Sequence, residues 1–191
     1  MFLRTAARRA HFVRKHGPVV TLYSLITVLF AYPTSIHLTD RIGGQIDALE
    51  NYWNYWWAYE AIFRLHQNPM AGRWMYFPFG APLYFHTFQQ FNVIVGLPIQ
   101  ALLGTAAACN VFNLLIFVIA ALGMYTLVLS LTKQRAAAFI SGLIFAFSPY
   151  MVYHLYVGQT NLLSLEWMPW YIWALLRGLR ERRRFLVLAA V

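Results

Sequence analysis

The sequence predicts an all-α polytopic membrane protein with about four transmembrane helices, a truncated fifth, and a large first extracytoplasmic loop carrying amphipathic juxtamembrane helices. Three observations point there. Of the 191 residues, 60% are hydrophobic and only 11% charged, and the mean hydropathy of +0.53 lies outside the range of ordinary soluble domains. Apolar runs of about 20 residues, the length a bilayer requires, recur along the chain. Lysine and arginine gather in short clusters beside those runs, so the formal charge of +9 reads as orientation in a membrane and not as attraction to nucleic acid.

The elements follow in order. Residues 1–17 form a cytoplasmic basic tail with Arg4, Arg8, Arg9, Arg14 and Lys15. The run at 18–38 is long enough to span, and no small-x-small cleavage site follows it, which makes it an uncleaved signal anchor. An extracytoplasmic loop occupies 39–109, and transmembrane helices are predicted at 110–132, 136–156 and 162–176. A cytoplasmic basic turn fills 177–184, and a further span opens at 185–191 and is cut off at Val191. The chain is therefore expected to be the N-terminal part of a longer multispanning protein. The single cysteine, Cys109, cannot form an internal disulfide and is expected to pack as a small apolar residue.

Orientation comes from counting cations. With the N-terminus in the cytoplasm, the clusters at 4–15, 133–135 and 177–184 all fall inside, and only Arg41, Arg64 and Arg73 fall outside. The short apolar stretch "FNVIVGLPIQALLG" at 91–104, interrupted by Pro98, is then a re-entrant or interfacial helix, because a crossing would put the later cations on the wrong side. Asp40, Asp47, Glu50 and Glu60, with His37, His66, His86 and His154, gather at the outer surface. Any chemistry is expected there.

The stretch "IDALENYWNYWWAYEAIFRLH" at 46–66 reads as one helix with unequal faces. At 100° per residue Asp47, Asn51, Asn54, Ala58 and Ala61 share a narrow polar and small-residue face. Tyr52, Tyr55, Trp56, Tyr59, Ile62 and Phe63 form a broad aromatic face, flanked by Trp53 and Trp57, and Glu60 pairs with Arg64 at i,i+4. Trp and Tyr prefer the headgroup level, so the helix is expected to lie along the outer leaflet with its aromatics among acyl chains. Asp47 has two readings: a carboxylate that satisfies N–H groups at the helix start, or a functional base.

Further along, Pro78, Gly80 and Pro82 in "YFPFGAPLYFHT" force a turn before His86, and Pro149 in "FSPYMVYH" kinks or ends a helix near the outer surface. His154, Gln159 and Asn161 follow on a short outer turn at 154–161. Glu166 stands within the fourth apolar run, where ionisable groups are costly and usually paired or functional.

The order of these features resembles the start of the GT-C class of integral-membrane glycosyltransferases, in particular the bacterial family 39-like branch. The residues carrying the resemblance are "DALENYWNYWWAYEAI" (47–62), "NPMAGRWMYFPFGAPLYFHT" (68–87), "FNVIVGLPIQALLG" (91–104) and "RAAAFISGLIFAFSPYMVYHLYVGQTNLLSLEWMPWY" (135–171). It implies a GT-C-like fold and a polyprenyl-phosphate-linked sugar as donor, transferred to an acceptor on the outer face. It also implies that Asp47 is the base activating the acceptor hydroxyl, which suits a carboxylate already ionised at external pH. The same resemblance gives His86 a place near the donor phosphate. The candidate substrate-binding set is His86, Asn51, Asn54, His154, Gln159 and Glu166. The amides and imidazole at 154–161 stand where some relatives have an acid. A divalent metal stays undecided, since Asp40, Asp47 and Glu50 are too close in sequence to settle an oxygen-rich site. Partners implied are membrane lipids and the lipid-linked sugar donor; sugar, acceptor and oligomeric state are not read. The competing readings are a transporter or flippase component for a lipid-linked sugar, and a non-catalytic scaffold subunit.

Overall fold

The structure is a computed structural model that describes residues 2–180. The end of the basic turn and the apolar run from Phe185 lie outside the described residues. The described residues are mostly helical, and among them two helical stretches are long and apolar enough to cross a membrane, Thr105–Thr132 with 28 residues and Arg135–Val157 with 23.

Helix α1 (Phe2–Phe30) has an apolar stretch over His16–Phe30. It stops eight residues short of the predicted 38, because Pro33 lacks an N–H, its ring would strike the Leu29 carbonyl, and it disfavours helical geometry at Tyr32. Helix α2 (Ile46–Tyr59) continues into a π turn at Glu60–Arg64, where the Leu65 N–H bonds to the Glu60 carbonyl at 2.8 Å, the i+5 spacing of that geometry. The predicted ion pair forms across this turn, with Arg64 Nη1 3.0 Å from Glu60 Oε1. A minimal hairpin follows, β1 (Ala71–Gly72) antiparallel to β2 (Ala81–Pro82). It is a small departure from the all-α expectation, made by the Pro78–Gly80–Pro82 turn.

Helix α3 (Gln90–Leu103) runs through Pro98 without ending there. Ile94 and Pro98 are both on its exposed side. Its 14 residues at about 1.5 Å each give a rod of about 21 Å, short of the roughly 30 Å of a hydrocarbon core. After Gly104 comes α4 (Thr105–Thr132), then α5 (Arg135–Ala146) and α6 (Pro149–Val157). The break before Pro149 is where the sequence places it.

The fourth apolar run is not one helix. It divides into α7 (Thr160–Leu163), a turn, and α8 (Met168–Arg180). Pro169 causes the division: its ring would clash with the carbonyl four residues back, so it fits only in the first turn of a new helix.

The chain forms two compact units, one made of the described residues up to Ala31, Leu114–Pro149 and those from Leu165, the other of Tyr32–Asn113 and Tyr150–Ser164. In the first, small residues Ala120, Ala121, Ala138 and Ala146 are buried and let helices approach closely. Phe30, Phe117 and Phe147 interlock with centroids 5.1–5.9 Å apart. Tyr23, fully buried, stacks on Phe139 at 4.9 Å and donates to the Phe139 carbonyl at 3.0 Å. Tyr23→Phe is expected to cost about 1 kcal/mol, the net worth of one such bond, measured as a lower unfolding midpoint in detergent.

In the second unit the core is built from Trp57, Ala58, Ala61, Leu83, Val93, Ala107, Met151 and Leu163. Asn110, 1% exposed, fastens the segment leading into α2: its Nδ2 donates to the Leu38 carbonyl at 2.9 Å and the Arg41 carbonyl at 2.6 Å, and its Oδ1 accepts from the Gly43 N–H at 3.3 Å.

Candidate functional site

The second unit brings six of the predicted residues together. Asn51, Asn54, Ala58 and Ala61 are buried against the rest of the unit, so the polar and small-residue face of α2 packs inward. Asp47, half-buried, lies in the first turn of α2. The residue before the helix, Gln45, makes no side-chain cap bond. The Asp47 carboxylate instead receives a long-range bond at Oδ2 from Gln159 Nε2, 2.8 Å away. Asp47 Oδ1 accepts no hydrogen bond among the described residues.

That bond fixes two further groups. An ionised carboxylate only accepts, so Gln159 must turn its amide nitrogen to Asp47 and its Oε1 the other way. Oε1 lies 2.9 Å from His154 Nδ1, and an amide oxygen cannot donate, so His154 carries its proton on Nδ1. The imidazole is buried, its ring centroid 4.3 Å from that of Tyr150 and 5.3 Å from that of Tyr153. His154, Gln159 and Asp47 thus form a directed chain of hydrogen bonds.

The turn that delivers Gln159 is a Schellman motif closing α6. The Gln159 N–H bonds to the His154 carbonyl at 2.9 Å and the Gly158 N–H to the Leu155 carbonyl at 3.2 Å, with Gly158 at φ +90° as the left-handed residue the motif needs. The glycine has a second reason. A Cβ at 158 would sit 2.5 Å from the Ala48 backbone nitrogen, so α2 can approach this turn only if the side chain is absent. Asn51 then bridges the two elements, its Nδ2 donating to the Asp47 carbonyl at 3.0 Å and to the Gly158 carbonyl at 2.6 Å.

One turn further along α2, Asn54 donates to the Thr87 carbonyl at 3.0 Å and accepts at Oδ1 from His86 Nε2 at 2.9 Å. Glu50 Oε1 lies 3.7 Å from the same His86 nitrogen and accepts the Thr87 hydroxyl. A third group extends the network: Gln89 donates to Asn51 Oδ1 at 2.5 Å and to Thr160 Oγ1 at 2.6 Å. Asn92 donates to Gln89 Oε1 at 3.1 Å and to Ser164 Oγ at 2.9 Å. Gln89, Asn92, Thr160, Ser164 and Gly158 were not singled out by sequence. Only the glycine, at the end of a helical pattern, carries a local signal.

The wall of this network borders an open cleft of about 350 Å³, lined by His86, Thr87, Phe88, Gln89, Gln90, Phe91, Asn92, Asn161 and Ser164. The lining holds amides, hydroxyls and aromatic rings, and His86 is its one titratable side chain. Such a surface suits a neutral, hydroxyl-bearing ligand.

Glu166 does not join the cluster. It belongs to the first unit, is 1% exposed and has Oε2 without a hydrogen-bond partner among the described residues. The carboxylates whose convergence was open in sequence go separate ways: Asp40 pairs with His37 at 3.0 Å, Glu50 takes Thr87, and Asp47 takes Gln159. Among the described residues no three His, Cys, Asp or Glu side chains are grouped to hold a metal. Comparison with protein-family models, curated proteins and solved structures found no match to this chain.

Proposed function

We propose that the chain is a GT-C-like membrane glycosyltransferase, or the N-terminal part of one, that transfers a sugar from a polyprenyl-phosphate donor to an acceptor hydroxyl on the extracytoplasmic face. In this reading the basic clusters are cytoplasmic and the segment 39–109 lies outside. The observation that carries the reading is the chain from His154 through Gln159 to Asp47. It holds one carboxylate oxygen in place and leaves the other, Oδ1, without a partner among the described residues.

A general base needs a free lone pair within reach of the proton it takes. As the acceptor oxygen bonds to the anomeric carbon, its proton passes to Asp47 Oδ1, the carbon–oxygen bond to phosphate breaks, and polyprenyl phosphate leaves with the electron pair. The cleft, which Asp47 does not itself line, offers amides and hydroxyls for neutral hydrogen bonds to sugar hydroxyls. His86 enters as part of that wall: with Glu50 at 3.7 Å, a protonated ring is balanced by a carboxylate before any phosphate arrives.

Asp47→Asn in the full-length protein is expected to cut sugar transfer by about 100-fold or more, the typical worth of a positioned base, with binding of the lipid-linked donor unchanged. Undiminished transfer would exclude Asp47 as the base. For orientation, a cysteine placed at Gln45 should react with an impermeant reagent added outside the cell; reaction from the cytosol alone would reverse the assigned face.

A further inference from the structure

The hairpin between α2 and α3 has a fixed base and a bare tip. At the base, Leu83 is buried and its N–H bonds to the Met70 carbonyl at 2.8 Å, while Trp57 Nε1 donates to the Pro69 carbonyl at 2.7 Å. Trp74 packs 5.5 Å from Trp56 and 6.0 Å from Trp57. Beyond these anchors the rings are open: Tyr76 is 77% exposed, Phe77 82%, Phe79 93%, Tyr84 67% and Phe85 101%. Scattered exposed apolar residues are ordinary, but five aromatic rings within ten residues form a patch that water alone does not explain.

We propose that residues 74–85 form a bilayer-contacting element, with its rings seated at the boundary between headgroups and acyl chains of a phospholipid membrane. Three observations select lipid over protein as the occupant. The mixture of Phe with Tyr and Trp, apolar bodies with polar tips, is the composition that partitions to that boundary.

The charge also fits. Arg73 at the edge of the patch is exposed and makes no ion pair among the described residues, and the sequence has no carboxylate between Glu60 and Glu166. A cation beside aromatic rings complements headgroup phosphate.

The third observation is continuity within the same unit. The patch leads directly into α3, whose Phe91, Ile94 and Val95 are exposed, and then into the first turns of α4, a helix long and apolar enough to cross a membrane. A hairpin tip of this size also falls short of the roughly 20–30 residues a side that a stable protein–protein interface uses. On α2 itself Tyr55 and the flanking Trp57 are buried within the protein while Phe63 is exposed, so the hairpin adds to the membrane contact expected of that helix.

The test uses the full chain in nanodiscs of phosphatidylcholine and phosphatidylglycerol, with Cys109→Ala and a single new cysteine carrying an environment-sensitive fluorophore. Phe79→Cys and Tyr76→Cys sample the tip; Gln134→Cys, in the exposed turn between α4 and α5, is the control. At 79 and 76 the emission should shift to the blue, be lost when lipids brominated near the headgroup end are used, and resist iodide. The control should behave oppositely. Iodide quenching at both tip positions without effect of brominated lipid would overturn the proposal. So would protection from iodide that depends on the number of chains per disc and not on bromine, which would indicate a protein contact. The proposal does not depend on catalysis, so it can fail while the enzymatic reading holds.

Discussion

Gly158→Ala is expected to destabilise the protein by about 3 kcal/mol or more, combining left-handed strain with overlap against a rigid neighbour. The Cβ would meet the backbone nitrogen, Cα and Cβ of Ala48 at 2.5–2.9 Å, and α2 backbone cannot rotate aside as a side chain can. The turn must move off the helix, which stretches the bonds from Asn51 to the Gly158 carbonyl and from Gln159 to Asp47. Both the unfolding midpoint in detergent and any activity that depends on Asp47 should fall together. Val157→Ala, one residue earlier and half-exposed, is the control and should shift the midpoint little. An alanine at 158 with a wild-type midpoint would show that α2 and this turn separate freely.

Trp57→Ala ranks next, with an expected loss of about 3–5 kcal/mol for emptying a fully enclosed aromatic site. Trp57 is 0% exposed, stacks on Trp53 at 5.8 Å with ring planes 6° apart, and ties α2 to the start of the hairpin through the Pro69 carbonyl. Trp57→Phe keeps much of the packing and removes the N–H, leaving the Pro69 carbonyl without its donor. Its cost should be smaller, about 1–3 kcal/mol. Comparing the two unfolding midpoints separates packing from hydrogen bonding; equal losses would mean that the indole N–H contributes nearly everything.

What sequence made legible follows from how local each signal is. The helix at 46–66, the orientation of its narrow polar face, the Glu60–Arg64 pair and the break at Pro149 all rest on neighbours within a turn or two, and periodicity or proline sterics reveals them. Tyr55 was assigned to the lipid-facing side by the same wheel, yet it is buried. Gly96, buried on α3, has no side chain to keep the Tyr55 ring away, so a contact 41 positions distant decides what the helix alone cannot.

The amide network is the clearest case of what stays hidden. Asn51 meets Gly158 and Gln89, and Asp47 meets Gln159, across long stretches of chain. Glutamine, asparagine and threonine have no periodic signature that would foretell such pairings. The shortened first and divided fourth apolar runs show the opposite limit: hydropathy counts residues, but Pro33 and Pro169 decide where backbone can be helical.

The chain His154–Gln159–Asp47 has a direction, since each link passes a hydrogen toward the carboxylate. When the carboxyl group is neutralised its pull on the glutamine amide weakens, and successive bonds in such a chain polarise one another. The imidazole, two links away and buried, is therefore a remote indicator: the nitrogen-15 resonance of its protonated ring nitrogen follows the charge on an aspartate it never touches.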